Sequence, residues 1–174
     1  MYGQAVGDAL GVPYEFMPRD TFRCEGMTGY GTHNQPIGTW SDDTSMMLAT
    51  LDSLIANEWQ VNTESAITHA HAISMEACSS MVDVLRDGLI KGIWPQELDD
   101  EPLRGMPRDE VGSSGFVKDT YEAALWCLAN TDDYASCVLA AVNLGDDTDT
   151  TAAVAGYLAG IKYGFDAIPA QWLA

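Results

Sequence analysis

Apolar side chains recur with helical spacing along most of the chain, and no stretch alternates apolar and polar residues over a convincing length. The period is clearest over 42–57, where Ser41 or Asp42 is the expected N-cap. The apolar positions of this helix are Met46, Met47, Leu48, Leu51, Leu54 and Ile55. Other helices are predicted over 2–16, 63–88, 118–129 and 133–143, and from a second acidic cluster to about Tyr163. We therefore predict an all-α fold, a compact helical bundle in which residues 1–174 form a single domain.

Glycines recur every four residues in the first predicted helix, at Gly3, Gly7 and Gly11. Because glycine has no side chain beyond a hydrogen atom, these positions form a flat face that suits close contact with another helix. Segments 17–39 and 91–116 are rich in residues that break helices, and we predict loops there.

Composition is that of a soluble globular protein, with 47% hydrophobic and 20% charged residues. The 26 acidic and 8 basic residues give a formal charge of −18, which repels phosphates, so we expect no nucleic-acid binding by general charge. A diphosphate ligand would need metal ions, helix N-termini or a local arginine to offset this field. No apolar run approaches the roughly 20 residues of a membrane span, so no membrane partner is expected.

The cysteines show no CxxC pairing, and Cys78 and Cys127 lie in apolar helical patterns, where buried free thiols are expected. The cysteines are Cys24, Cys78, Cys127 and Cys137. The first residues carry no basic region of the kind that opens a secretory signal. Together these features favour a cytoplasmic location.

Two short acidic clusters, Ser41–Thr44 and Asp146–Thr150, each lie where a helix is predicted to begin. Carboxylates interleaved with hydroxyl groups are hard oxygen ligands, which suit Mg²⁺, Mn²⁺ or Ca²⁺. If the fold brings the clusters together, five carboxylates meet, and they cannot all stay ionised without cations between them. The sequence therefore predicts a metal site with more than one ion.

Two alternatives compete with this interpretation. Acids in the first turn of a helix are ordinary caps, although three acids within Asp146–Asp149 exceed what capping needs. Paired Mg²⁺–diphosphate clamps, as in all-α terpenoid synthases, fit poorly because such motifs lie in mid-helix. His69 and His71 have no partner at zinc spacing, so a zinc site is discounted. The loop from Gly112 to Gly115 suits backbone contact with phosphate or sugar, but a plain linker has the same composition.

Several motifs, in order along the chain, resemble those of the ADP-ribosylglycohydrolase family, which includes the dinitrogenase reductase-activating glycohydrolases. The opening Gly7-Asp8-Ala9-Leu10-Gly11 is similar to that of the family, and Gly38–Thr44 and Asn143–Thr150 resemble its two metal-binding signatures. Segments 114–126 and 168–173 are similar as well. The resemblance covers 3–57 and about 66–173.

The resemblance implies an all-α protein with two Mg²⁺ or Mn²⁺ ions that hydrolyses the N- or O-glycosidic bond between ADP-ribose and a protein side chain or small acceptor. The implied metal ligands are Ser41, Asp42, Asp43, Asp147, Asp149 and Thr150. Catalysis would rest on Glu15, Asp43 and Asp147, with Glu15 or a metal-bound aspartate as the base. Substrate contacts would come from His69, Ser113, Ser114 and Gly115. ADP-ribose, or a molecule that carries it, is the expected partner.

One departure from the family pattern lies between the first metal helix and the Thr68–His69 pair. Family members carry a long segment there, which includes a substrate-lining loop, whereas here Asn57 leads almost directly to Ile67. A shortened member that keeps its metals could still hydrolyse substrate. It could instead be a catalytically weak module that recognises ADP-ribose. A second subunit covering apolar surface left by the shortening, and hence a homo-oligomer, is a further possibility.

Overall fold

The computed structural model describes residues 1–56, 71–88, 94 and 103–173. These residues contain six α-helices and no β-strand, which confirms the predicted all-α fold. The helices are α1 Tyr2–Gly11, α2 Asp42–Ala56, α3 Ala72–Arg86, α4 Val117–Ala129, α5 Tyr134–Val142 and α6 Thr148–Tyr163. Short 3₁₀ turns occupy Val12–Tyr14, Arg108–Glu110, Phe165–Ala167 and Ala170–Trp172. No helix in this part of the chain is both long and apolar enough to cross a membrane.

Helix α6 is the centre of the packing, because α1, α4 and α5 all lie against it. Its small side chains allow the neighbouring helices to approach, and Ala152, Ala155 and Ala159 are fully buried. Leu158 on α6 and Leu10 on α1 are fully buried as well. The core therefore surrounds the helix whose N-terminus carries the second acidic cluster.

The glycine face of α1 contacts α6 so closely that no side chain would fit between the two backbones. A Cβ atom at Gly7 would lie 2.0 Å from the Ala152 carbonyl oxygen, and one at Gly11 would lie 2.3 Å from Asp149 Cα. The Thr148 hydroxyl also donates to the Gly11 carbonyl over 2.9 Å. The predicted close helix contact is confirmed, and it brings the end of α1 beside the start of α6.

Helix α2, Asp42–Ala56, confirms the predicted helix over the described part of 42–57, and segment 17–39 is a loop as expected. Its apolar positions are not all covered, since Met46, Leu48 and Ile55 are exposed. Hydrophobic period therefore identified the helix correctly without showing which residues it buries.

The prediction of one helix over 63–88, with Thr63 as N-cap, is wrong at His71. His71 has extended backbone angles (φ −70°, ψ 137°), and its Nδ1 accepts a 3.3 Å hydrogen bond from the Ile73 backbone N–H. The side chain therefore caps a helix that begins at Ala72, a role that histidine rarely signals in sequence. The predicted start at Thr63 and the candidate residue His69 lie outside the described residues.

Candidate metal and catalytic site

The first acidic cluster is held in place by a buried carboxylate on α1, that of Asp8. Asp8 is completely buried, and its Oδ1 accepts from the Ser41 backbone N–H at 2.9 Å. Its Oδ2 accepts from the Thr44 backbone N–H at 3.0 Å and from the Thr44 hydroxyl at 2.5 Å. A buried carboxylate needs such donors, and these are the free N–H groups at the N-terminus of α2. Asp8 therefore fixes the start of α2 to α1.

The two acidic clusters meet, as the metal-site prediction requires. Asp43 Oδ2 accepts a hydrogen bond from the Thr150 hydroxyl at 3.0 Å, and the Ser41 hydroxyl lies 3.4 Å from the same oxygen. Asp42 is exposed beside Asp43. The first turn of α2 thus faces the first turn of α6, with oxygen atoms from both helices in one place.

Glu15, in the turn after α1, adds a carboxylate beside the second acidic cluster. Glu15, Asp147 and Asp149 can each place one carboxylate oxygen so that all three oxygens lie within 4.8 Å of one another. Glu15 also pairs with His33 Nε2, a contact that the sequence did not predict. The imidazole of His33 is partly exposed, whereas the Glu15 side chain is mostly buried.

Backbone contacts between two loops position this trio. The Phe16 N–H donates to the Asp146 carbonyl at 2.7 Å, and the Asp146 N–H donates to the Met17 carbonyl at 3.0 Å. Phe16 and Asp146 both have left-handed backbone angles, with φ of 65° and 60°. That conformation is uncommon for non-glycine residues and is favoured where surrounding contacts enforce it. Here it turns Glu15 towards the start of α6.

Arginine side chains stabilise the same loops. Arg19 donates to the carbonyl oxygens of Leu144 (2.6 Å), Arg108 (2.7 Å) and Val111 (2.6 Å). Arg108 in turn donates to Asp20 at 2.7 Å and to the Asn143 carbonyl. The guanidinium groups therefore satisfy backbone carbonyls around the second cluster, and their hydrogen bonds hold three loops together.

The carboxylates of the site are partly buried and repel one another. Burial raises the pKa of Asp43 to about 6, and the charges of Asp8, Asp147 and Asp42 add to the shift, while the Thr150 hydrogen bond opposes it. Burial also raises the pKa of Asp149 to about 8, with further contributions from Glu15, Asp43 and Asp147. Among the described lysines and arginines, none forms an ion pair with Asp43, Asp147 or Asp149. This is the environment that a bound cation relieves.

The donor set fits hard divalent cations. It consists of carboxylate and hydroxyl oxygens. The three grouped residues Glu15, Asp147 and Asp149 all offer carboxylate oxygens. Capping alone does not account for these acids. Asp147 occupies the N-cap position of α6 but its side chain makes no cap hydrogen bond, and Asp43 is bound by hydroxyl groups. The residues present thus suit Mg²⁺ or Mn²⁺, and the assignment of individual ligands stays a prediction.

The predicted substrate loop lies next to the acids. The Asp147 N–H donates to the Ser113 carbonyl at 3.1 Å, and a Cβ at Gly115 would lie 3.0 Å from Asp147 Oδ2. The Ser113 hydroxyl is buried and donates to the Leu144 carbonyl, while the Ser114 hydroxyl donates to Asp119 at 2.6 Å. Both side chains are therefore engaged within the protein, and substrate contact by this loop stays a prediction.

Three residues that build the site were not predicted as part of it: Asp8, Arg19 and His33. Asp8 stands inside the Gly7–Gly11 motif, where an acid among small residues that pack against another helix was a usable signal. Arg19 and His33 lie in a predicted loop, and their partners are distant in sequence. Only the tertiary structure identifies them.

The protein is thus an all-α protein in which carboxylate and hydroxyl oxygens from the N-termini of α2 and α6 lie close together. The family model for ADP-ribosylglycohydrolases matches residues 1–96 and 60–174. The chain therefore belongs to the ADP-ribosylglycohydrolase family.

Several proteins of similar sequence are named as hydrolases of ADP-ribosylated molecules. The ADP-ribosylarginine hydrolase Tri1 of Serratia proteamaculans (strain 568) is 28% identical over 267 residues, covering 99% of this chain and 73% of that protein. The same-named protein of Pseudomonas putida (strain GB-1) is 25% identical, covering 99% and 72%. The ADP-ribosyl-(dinitrogen reductase) glycohydrolase of Rhodospirillum rubrum is 36% identical over 135 residues, covering 73% of this chain and 46% of that protein.

A solved structure has the same fold. It is described as an ADP-ribosylglycohydrolase-related protein complex, with a TM-score of 0.75 and 28% identity, and the match covers 98% of this chain and 88% of that one. The alignment with the Serratia protein is longer than the 174 residues of this chain. That relative therefore carries residues within the matched range that this chain lacks.

Proposed function

We propose that this protein is a divalent-metal-dependent hydrolase that cleaves the N- or O-glycosidic bond between ADP-ribose and a protein side chain or small acceptor. The observation that carries the proposal is the convergence of Glu15, Asp43, Asp147 and Asp149 on one small volume with raised pKa values for two of them. Relatives named as hydrolases of ADP-ribosylarginine and of ADP-ribosylated dinitrogen reductase support the substrate class.

Two Mg²⁺ or Mn²⁺ ions would be held by the ligands predicted from the sequence. Those ligands are Ser41, Asp42, Asp43, Asp147, Asp149 and Thr150. When bound, such ions orient ribose hydroxyl groups and lower the pKa of a water molecule. The contacts of Asp43 with Ser41 and Thr150 support this assignment, because they bring together donors from both clusters.

The protein's own residues supply the remaining chemistry. Loss of the acceptor leaves oxocarbenium character at the ribose carbon, which nearby carboxylate oxygens can stabilise. Glu15 stands at the edge of the acid group, where its carboxylate can take a proton from the water that bonds to the ribose carbon. The bond to the acceptor breaks, and the departing acceptor takes up a proton in turn, which gives ADP-ribose and the free acceptor. The backbone between Ser113 and Gly115, just before α4, would face the diphosphate and offset part of the chain's negative charge.

Release of ADP-ribose from an arginine-linked substrate, measured with and without Mn²⁺, tests this proposal. We expect metal-dependent release by the wild-type protein and its loss in Asp43→Asn and Asp149→Asn. The matched control is Asp133→Asn, because Asp133 caps α5 far from the acids and asparagine caps equally well. Full turnover in both site variants would refute the metal assignment.

A second candidate is a catalytically weak module that binds ADP-ribose. The observation that favours it is the set of residues present in the Serratia relative and missing from this chain. Calorimetry with ADP-ribose and Mn²⁺, run beside the release assay, separates the two functions. Binding without turnover supports the module, and turnover supports the hydrolase. The single domain, the cytoplasmic location and the homo-oligomer stay predictions.

A further inference from the structure

We propose that His33 is a positioning residue that fixes the carboxylate of Glu15 for the reaction. The proposal rests on the proposed hydrolase function and adds a residue that the family motifs in this sequence do not mark. It follows from three features of the turn that carries His33: its contact with Glu15, its packing, and its attachment to the chain around Glu15.

The contact itself is specific. His33 Nε2 donates to Glu15 Oε2, and Glu15 Oε1 accepts no hydrogen bond from the described residues. The imidazole therefore holds one oxygen of a carboxylate that also forms the acid group with Asp147 and Asp149. Within the described chain this imidazole is the one basic side chain that contacts the trio.

One aromatic side chain lies beside the imidazole. The Phe16 ring meets it edge to face, with 6.0 Å between centroids and 62° between planes. Phe16 follows Glu15 directly and is itself held by its hydrogen bond to the Asp146 carbonyl. The ring that supports His33 is therefore attached to both halves of the site.

The turn is fastened to the chain on which Glu15 lies. The Thr32 N–H donates to the Pro13 carbonyl at 2.9 Å, and the Thr32 hydroxyl donates to the Glu15 carbonyl at 2.8 Å. Gly31 approaches so closely that a Cβ atom there would lie 1.9 Å from the Pro13 carbonyl oxygen. Thr32 thus binds the backbone of Glu15, and His33 binds its side chain. Contacts of this kind around a reactive group hold it in one position.

Without the imidazole, the Glu15 carboxylate loses the side chain that holds it beside Asp147 and Asp149. We expect its carboxylate to swing towards solvent in His33→Ala. Since a displacement of about 1 Å at a reacting group can reduce the rate about 100-fold, kcat should fall by about 10- to 100-fold. KM should change less than about threefold, because the loss affects the transition state more than ground-state binding.

The test compares His33→Ala, His33→Gln, Glu15→Gln and the double variant Glu15→Gln/His33→Ala. Glutamine can still donate from the position of Nε2, so His33→Gln should keep most of the activity, and added imidazole should partly restore His33→Ala. In the Glu15→Gln background the second change should have no further effect on kcat. His71→Ala is the matched control, because His71 caps α3, and we expect wild-type kcat from it.

Crystal structures of the wild type and His33→Ala provide a readout that does not depend on turnover. The proposal requires the Glu15 carboxylate to move away from Asp147 and Asp149 when the imidazole is removed. An unmoved carboxylate, or an active wild type whose kcat is unaffected by His33→Ala, would overturn it. A wild type without hydrolase activity would overturn the proposed function instead, and the two structures would still decide the role of His33.

Discussion

The Thr150 hydroxyl donates to Asp43 Oδ2 over 3.0 Å, although 107 positions separate the two residues in the chain. This hydrogen bond joins the first turns of α2 and α6 and places the two acidic clusters against each other. It also opposes the rise in the Asp43 pKa that burial and neighbouring acids cause. The juxtaposition of two helix N-termini is therefore the basis of the candidate metal centre.

Removing the carboxylate of Asp8 should destabilise the fold and loosen the first cluster. Asp8→Ala leaves the N–H groups of Ser41 and Thr44 and the Thr44 hydroxyl without their acceptor, and we expect a loss of about 2–4 kcal/mol in the free energy of unfolding. Urea denaturation measures it. Asp133→Ala, which removes an exposed cap, should cost only about 1 kcal/mol. Equal losses in the two variants would contradict the role assigned to Asp8.

The contact between α1 and α6 should not tolerate a methyl group. Gly7→Ala places Cβ 2.0 Å from the Ala152 carbonyl, so the helices must separate, and we expect a cost of about 1–3 kcal/mol. Gly26→Ala is the control, since its nearest neighbour would be the Trp172 indole nitrogen at 3.7 Å. Its effect should stay within about 0.5 kcal/mol. Thermal unfolding measures the stability of both variants. A Gly7→Ala protein as stable as wild type would contradict the close packing of α1 against α6.

Local sequence patterns predicted much of this fold. The period over 42–57 and the spacing of Gly3, Gly7 and Gly11 depend on chain geometry alone, and both predictions are confirmed. The start of α3 was not predicted, because it depends on the single conformation of His71.

The site was predicted in part for a similar reason. Hard oxygen ligands at helix starts are visible in sequence, and the structure brings Asp43 and Thr150 together. The supports of the site could not be found that way. Arg19 and His33 acquire their roles from partners brought close by tertiary folding, and neither residue type signals such a contact.

Replacing Arg19 with lysine should lower both the stability of the fold and the affinity for Mn²⁺. A lysine ammonium is a single point charge and cannot reach the carbonyls of Leu144, Arg108 and Val111 together, so buried acceptors lose their donors. We expect Arg19→Lys to cost about 2 kcal/mol in stability and to lower the affinity for Mn²⁺, because the second cluster is less well held. Arg23→Lys changes an exposed ion pair and should cost almost nothing. Chemical denaturation and metal titration of the pair test this, and equal behaviour of the two variants would refute it.

Stability in metal-free buffer should fall as pH rises. The folded-state pKa values of Asp43 (about 6) and Asp149 (about 8) lie above the unfolded value of about 3.9, so the folded state binds the protons more tightly. Their contribution is complete at low pH and is lost as pH rises through about 6 and then about 8. Asp43→Asn and Asp149→Asn should flatten this profile of melting temperature against pH. A profile unchanged in both variants would contradict the raised pKa values of Asp43 and Asp149.

Adding Mn²⁺ should reverse that trend. A cation favours the ionised carboxylates, so binding releases protons and strengthens as pH rises. We expect a larger increase in melting temperature near pH 8 than near pH 5, measured at one Mn²⁺ concentration. Asp133→Asn should respond like wild type. An increase that is the same at both pH values would show that the ion binds away from the titrating acids.

Anomalous diffraction from crystals grown with Mn²⁺ tests most directly whether the two clusters form one metal centre. A shared centre requires manganese density between the start of α2 and the start of α6, in contact with oxygens of Asp43, Asp147 and Asp149. Manganese density elsewhere, or none at saturating Mn²⁺, would contradict it.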